Sequence, residues 1–467
     1  MPSRSRVAVI GAGAAGLAAA RELRSEGHAP VVFERAAAVG GTWRYDHEDA
    51  ADPADPLGAG GAHSSLYASL RTNLPRESMG FLDFPFVADC SSSSADPRRF
   101  PGHPEVLRYL EAYARRFDLL GLVRFETEVV SVRRSRDDGA GAAGWMVSYR
   151  SRRPDGEPEE EEEVFDAVVV CNGHFTEPRV AAIAGIHCWP GKQMHSHSYR
   201  VPDQFHGQVV MVIGYQPSGM DISRDIAGVA KEVHVAMRSE PPYQMHTTTA
   251  TGHANLWLHS CTVPTIERAE EDGSLVFQDG SKIKADVVLH CTGYKYNFPF
   301  LGDSDDELAG AISVDDNRVG PLYKHVFPPT LAPHISFIGL PFRTIPFLVF
   351  QLQSKWVAGV LSGRLELPSQ EAMMRDVVAF YSDMEARGCP KRRTHDLGQG
   401  NPFEYEDWVA EQCGLGRMEG WRKGMFVATC KNLADRPDSY RDEWDDAHLL
   451  PQAHQDFTKH SCLADQY

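Results

Sequence analysis

The residues best placed to do chemistry in this chain are glycines, and they come in two sets about two hundred positions apart. The first set is Gly11-Ala12-Gly13-Ala14-Ala15-Gly16, entered through Val7-Ala8-Val9-Ile10. The second is Gly214-Tyr215-Gln216-Pro217-Ser218-Gly219, entered through Val209-Val210-Met211-Val212-Ile213. An apolar β-branched run that stops at a glycine turn and continues as helix offers backbone N–H groups and a helix N-terminus to a pyrophosphate. Two such turns predict two dinucleotides in one chain, an arrangement suited to electron transfer between them.

The residue that ends the next strand separates the two ligands. After the first turn, an alanine-rich helix and Gly27 lead into Pro30-Val31-Val32-Phe33, which ends at Glu34, 34 − 11 = 23 residues past the first glycine. A carboxylate at that spacing accepts from a ribose 2′-hydroxyl and repels a 2′-phosphate, so this site predicts FAD or NAD. After the second turn, Glu232-Val233-His234-Val235-Ala236-Met237 ends at Arg238, 238 − 214 = 24 residues on. A guanidinium suits a 2′-phosphate, so this site predicts NADPH. The second turn departs from the GxGxxG pattern, with Gln216 at the middle glycine and Pro217 lacking an N–H. Proline fits the first turn of a helix, so the turn is expected to survive with fewer donors.

Gly40-Gly41-Thr42-Trp43 follows six residues after Glu34. Its glycines allow close backbone approach to a flavin phosphate, with Thr42 to hydrogen-bond it and Trp43 to wall the ring. His195-x-His197 has no carboxylate or cysteine at ligand spacing, so no metal site is expected. No Ser/His/Asp set and no pair of carboxylates stands out.

The elements that must hold these turns repeat. Asp166-Ala167-Val168-Val169-Val170-Cys171-Asn172-Gly173-His174 echoes Asp286-Val287-Val288-Leu289-His290-Cys291-Thr292-Gly293-Tyr294. Each follows one glycine turn, which predicts two α/β units with largely parallel sheets, the second inserted into the first. His334-Ile335-Ser336-Phe337-Ile338-Gly339 is expected to return the chain to the first sheet. The expected division is an FAD-binding domain at 1–178 and 320–467 and an NADPH-binding domain at 179–319. Loops are expected at 46–63, Ser91 to Ser94 and 135–144, a solvated hairpin tip at the acidic run 154–163, and a partly mobile end from Asp435.

Composition narrows the class. A chain of 467 residues can bury a large core, and its net charge of −17 argues against nucleic acid and anionic membranes. No apolar run reaches the roughly eighteen residues that span a bilayer. Met1 to Arg6 lead straight into the first strand without room for a signal peptide. The nine cysteines are scattered, which reads as reduced thiols in a cytoplasmic protein. No CxxC or CxxxxC follows the first turn, which removes a disulfide-reductase mechanism.

Trp189, Gly191, His195 and Tyr199, just before the second turn, form an aromatic-x-Gly-x-x-x-His-x-x-x-aromatic pattern. With it the chain resembles the flavin-containing monooxygenases, over most of its length. The resemblance also rests on Glu34 with Gly40-Gly41-Thr42-Trp43, on Arg71-Thr72-Asn73-Leu74-Pro75-Arg76 and on His290-Cys291-Thr292-Gly293-Tyr294. Phe100-Pro101-Gly102-His103, Val169 to His174 and Leu352-Gln353-Ser354-Lys355-Trp356 are similar to the plant S-oxygenating, glucosinolate S-oxygenase-like branch. Trp189 stands where the family usually has Phe. Tyr199 stands where the Baeyer–Villiger relatives usually have Trp.

The resemblance implies FAD and NADPH as cofactors. It implies transfer of one oxygen atom of molecular oxygen, through a flavin C4a-hydroperoxide, to a soft nucleophile: a small-molecule sulfide or an amine. It places Asn73 beside the flavin as the catalytic candidate. The cofactor contacts are then Gly11, Gly13, Ala15, Gly16, Glu34, Arg35, Gly41, Thr42, Trp43 and Asn73, with Gly214, Ser218, Gly219, Arg238, Thr292 and Gln353. The sequence leaves three alternatives open: a Baeyer–Villiger oxygenase, an uncoupled NADPH oxidase releasing hydrogen peroxide, and a flavin-binding protein without turnover.

Overall fold

Both glycine turns grow from the central strand of a parallel sheet. The structure is a computed structural model that describes residues 4–45, 56–57, 64–88, 96–135, 144–151, 159–237, 254–259, 266–302, 307–401 and 403–464. The loops expected at Ser91 to Ser94, and nearly all of those at 46–63 and 135–144, lie outside the described residues, as does Arg238.

The first sheet has the order Ile335–Phe337, Ala167–Val170, Arg6–Ile10, Ala29–Phe33, Val123–Arg124, with every pairing parallel. Val7, Ala8 and Val9 are fully buried, as a strand covered on both faces requires. The alanine-rich helix Ala14–Ser25 packs over this strand pair and against the helix Pro346–Leu361. That second helix buries thirteen of its sixteen residues, so it is a core helix and not a surface one.

The second sheet has the order Leu256–His259, Glu232–Ala236, Val209–Ile213, Val287–His290, Lys192–His195, again all parallel. The sequence echo is a structural one. Ala167 pairs with Val7 beside the first turn, and Val287 pairs with Val210 beside the second. The chain leaves the first sheet after Val170, builds the whole second sheet, and returns at Ile335. The architecture is therefore two dinucleotide-binding α/β units, the second inserted into the first.

Two expectations need correction. The described part of the acidic run is not a hairpin tip. Glu159–Phe165 is a strand of an antiparallel sheet with Thr127–Arg134 and Trp145–Ser151. Arginines neutralise it: Arg124 sits 2.6 Å from Glu163 and Arg133 2.8 Å from Glu162. The Arg124 guanidinium holds the Glu163 carboxyl down to about 2. The segment after Asp435 is likewise anchored. Asp442 meets Arg71 at 2.8 Å, Asp446 binds Arg99 through a bond of 2.9 Å and a shorter one, and the helix Leu450–Ala464 follows.

No disulfide joins the described cysteines. Cys171 and Cys291 are buried at equivalent strand ends, and burial pushes the Cys291 thiol up to about 12. Among the described residues no helix is long and apolar enough to cross a membrane.

Candidate active site

Two glycines of each turn are dictated by the protein's own backbone. At Gly11, with φ +102°, a Cβ would lie 2.6 Å from the Cys171 carbonyl oxygen, and at Gly16 it would lie 1.8 Å from that of Gly11. The second turn repeats both restrictions. A Cβ at Gly214 (φ +99°) would fall 2.5 Å from the Cys291 carbonyl oxygen, and one at Gly219 2.1 Å from that of Gly214.

Gly13 differs. A Cβ there would make only ordinary contact, 3.5 Å from the Gly41 Cα. The fold does not need this glycine, and the space above it fits a pyrophosphate. Gly41 (φ +55°) lies directly over the turn, where its own Cβ would come 2.9 Å from the Gly13 Cα. The Gly40 N–H donates to the Ala12 carbonyl at 3.1 Å. Thr42 and the half-buried Trp43 follow in one 3₁₀ turn, and the Trp43 ring meets Phe347 edge-on at 6.4 Å.

Glu34 is only 3% exposed. Its Oε2 accepts the Ala12 N–H at 2.7 Å and its Oε1 accepts the Ala36 N–H at 2.8 Å. The carboxylate is thus fixed at the turn with lone pairs left for a ribose hydroxyl. Arg35 is exposed beside it, and Ala15 is half-buried in the first helical turn. The donors, the open space and the acid together fit the adenosine diphosphate half of FAD.

The middle of the second turn keeps the geometry of the first. Gln216 has φ −87°, ψ −178°, close to Gly13 at −74°, −172°. Its carbonyl accepts the Met220 N–H at 3.0 Å, as Gly13 accepts that of Leu17 at 3.0 Å. Gln216 therefore causes no backbone strain. Pro217 occupies the first helical position, where an N–H has no intrahelical partner. The departure removes one donor and adds an exposed side chain, leaving the half-buried Ser218 unaffected. A Gln216→Gly, Pro217→Asn double variant is accordingly expected to bind NADPH several-fold more tightly in a fluorescence titration. Weaker binding would make Gln216 itself a ligand contact.

Two assigned contacts are occupied by protein. Gln353 is fully buried on the helix Pro346–Leu361; its Oε1 accepts the Gly339 N–H at 2.9 Å and its Nε2 donates to Tyr405 at 2.7 Å. It shapes the strand end behind Ala15, whose Cβ lies 3.5 Å from where a Gly339 Cβ would be. Thr292 donates its hydroxyl to the Arg179 carbonyl.

The pattern before the second turn is a scaffold. The buried Trp189 ring lies over Gly191, where a Cβ would come within 2.1 Å of it. His195 belongs to an edge strand of the second sheet itself. Its Nδ1 accepts the His197 N–H at 3.0 Å, leaving Nε2 to donate to the Gly293 carbonyl at 3.1 Å. Burial pushes His195 down to about 3, so the ring is neutral. Tyr199 donates to Asp225 at 2.5 Å. Among the described residues no cluster of His, Cys, Asp and Glu is placed to hold a metal.

Asn73 is exposed and makes no hydrogen bond among the described residues, while the residues around it are held on every side. The Thr72 hydroxyl donates to the Leu74 carbonyl at 2.9 Å, and the Thr72 N–H to that of Pro101 at 2.9 Å. Arg76 is buried, donating to the Arg98 carbonyl at 2.9 Å beside Glu105 at 3.4 Å. A rigid frame thus presents an unengaged amide. Sequence reading missed Asp221 and Arg441, whose ion pair reaches this loop; they stand 220 residues apart and carry no local signal.

The profile of the family described as flavin-binding monooxygenase-like matches residues 4–260 and 261–414. Flavin-containing monooxygenase FMO GS-OX-like 2 of Arabidopsis thaliana is 56% identical over 98% of this chain and 96% of the relative. FMO GS-OX-like 4 of the same plant is 54% identical over 98% of each. The solved structure of S-allyl-L-cysteine S-oxygenase from Allium sativum is 52% identical and superposes with a TM-score of 0.88, covering 98% of this chain and 99% of that one. With both glycine turns and the fixed Glu34 in place, the chain belongs to the flavin-binding monooxygenase-like family and is a flavin-containing monooxygenase that uses FAD and NADPH.

Proposed function

We propose that this monooxygenase S-oxygenates small thioethers, with S-alkyl cysteines and methylthioalkyl compounds as its substrate class. The observation that carries this is the whole-chain likeness to S-allyl-L-cysteine S-oxygenase, at 52% identity and a TM-score of 0.88. The Baeyer–Villiger reading has only a shared fold behind it, since cyclohexanone monooxygenase is 17% identical. When bound, FAD supplies the oxygen chemistry and NADPH the electrons.

The chain's own residues bind, orient and shield. Gly13 and Gly41 admit the FAD pyrophosphate and Glu34 takes the ribose. Gly214, Ser218 and Gly219 receive the second pyrophosphate. Asn73 offers its amide N–H beside the reacting centre. A sulfide lone pair needs no general base, which accords with the lack of an acid–base pair in the sequence. The proposed domain limits are 1–178 with 320–467 and 179–319, and the proposed compartment is the cytoplasm.

The test is substrate-dependent NADPH use with S-allyl-L-cysteine, other sulfides and a tertiary amine, with product mass measured. A sulfoxide formed in step with NADPH oxidation supports the proposal. Preference for the amine, or hydrogen peroxide alone, overturns it.

Arg238 is proposed to bind the 2′-phosphate. Arg238→Ala removes a charge-assisted pair of roughly 1.5–3 kcal/mol, which raises the KM for NADPH about tenfold or more and leaves NADH kinetics nearly unchanged. Equal losses with both nucleotides would defeat the assignment.

A further inference from the structure

The helix after the second turn is tied to the loop that carries Asn73 by one side chain from near the end of the chain. Arg441 donates through Nη1 and Nη2 to the two carboxylate oxygens of Asp221, at 3.0 and 2.7 Å, and through Nε to the Thr72 carbonyl at 2.9 Å. Asp221 lies in the helix Pro217–Ala227, which begins at the NADPH turn. Thr72 immediately precedes Asn73. Both partners of the pair are largely shielded, with side chains 16% and 19% exposed. A bidentate arginine pair in such surroundings fixes orientation as well as distance.

Neighbouring contacts repeat the pattern. Tyr67 donates to Asp221 at 3.1 Å and Ser69 to Asp225 at 2.8 Å, so the same helix holds the loop upstream of Asn73. Asp438 pairs with Arg224 on that helix, while Asp442 pairs with Arg71 beside Thr72 at 2.8 Å. The segment from Asp438 to Asp442 thus grips the nucleotide helix with one set of side chains and the Asn73 loop with the other. Arg441 alone among them touches both through one guanidinium.

We propose that Arg441 is a positioning residue that transmits the seating of NADPH at the Gly214 turn to the Asn73 loop, fixing the Asn73 amide when nucleotide is bound. The proposal rests on the reading of Asn73 given above. It identifies a two-sided contact whose strength depends on how the Pro217–Ala227 helix sits, which is the physical requirement for coupling two sites.

The experiment compares FAD-loaded wild-type protein with Arg441→Met and with Asp221→Asn, a near-isosteric change that removes the charge. FAD content and thermal midpoint establish that each is folded. Amide hydrogen exchange of residues 64–74 is followed with and without NADP⁺. Wild-type protein is expected to show slower exchange in this loop when NADP⁺ is added, and both variants to lose that response. Sulfoxide formed per NADPH should fall by about threefold or more in both, with hydrogen peroxide making up the difference. If folded variants keep the wild-type exchange response, the link through Arg441 is overturned. If the response is lost while the product ratio stays wild-type, the link stands and the role of Asn73 on which it rests is overturned.

Discussion

Gly16→Ala is expected to give protein with little or no FAD, whereas Gly219→Ala should retain FAD and lose productive NADPH binding. Each new Cβ would be driven into a backbone carbonyl, at 1.8 Å from Gly11 and 2.1 Å from Gly214. Neither carbonyl can swing aside, because Gly11 and Gly214 are pinned at positive φ with the Cys171 and Cys291 carbonyls behind them. The helix must move away from its strand, at a cost of about 1–3 kcal/mol or more, and the turn no longer fits its pyrophosphate. Gly13→Ala separates the ligand's space from the fold's. Its Cβ meets nothing closer than 3.5 Å, so the apoprotein should melt as wild type and still fail to hold FAD. The measurements are flavin-to-protein ratio, apoprotein melting and NADPH-dependent flavin bleaching. A Gly13→Ala protein with a full complement of FAD would show that the pyrophosphate lies elsewhere.

Asn73→Ala should separate NADPH consumption from oxygenation. The FAD residues Gly11, Gly13, Gly16 and Glu34 are untouched, so flavin content and its reduction by NADPH should stay near wild type. The Thr72, Pro75 and Arg76 contacts that frame the loop do not use the Asn73 side chain, so the loop keeps its shape. What is lost is one donated hydrogen bond. At roughly 1 kcal/mol this lowers product formed per NADPH by about fivefold, with hydrogen peroxide in its place. A wild-type ratio would reduce Asn73 to an ordinary turn residue.

What the sequence disclosed and what it withheld divide along a physical line. The glycine turns were legible because their constraint is local. A strand, two obligatory glycines and a charged residue twenty-odd positions on, Glu34 or Arg238, specify one turn wherever they occur. The insertion was legible because Ala167–Val170 and Val287–His290 repeat one pattern after each turn. Long-range partners were not legible. Glu159 to Glu163 read as a hairpin tip because nothing adjacent reveals that Arg124 and Arg133 will face them across a sheet. The end from Asp435 read as partly mobile because the partners of its described part, Arg71, Arg99, Asp221 and Arg224, stand hundreds of residues away. Gln353 was assigned to cofactor from its motif, and only packing shows both ends of its amide engaged with Gly339 and Tyr405.

The insertion also governs how the chain emerges into its fold. Every strand of the second sheet lies between Lys192 and His290, so that sheet can pair as one contiguous stretch. The first sheet cannot, because Ile335 pairs with Val168, 335 − 168 = 167 residues earlier. Until that partner is synthesised, Ala167–Val170 presents an unpaired edge of four apolar residues, all buried in the finished protein. The helix Pro346–Leu361 that covers Ala14–Ser25 arrives later still. Such separation slows closure and leaves the early sheet open to pairing with other chains. In order of synthesis, therefore, the second sheet has all its strands before the first sheet has its edge strand and covering helix.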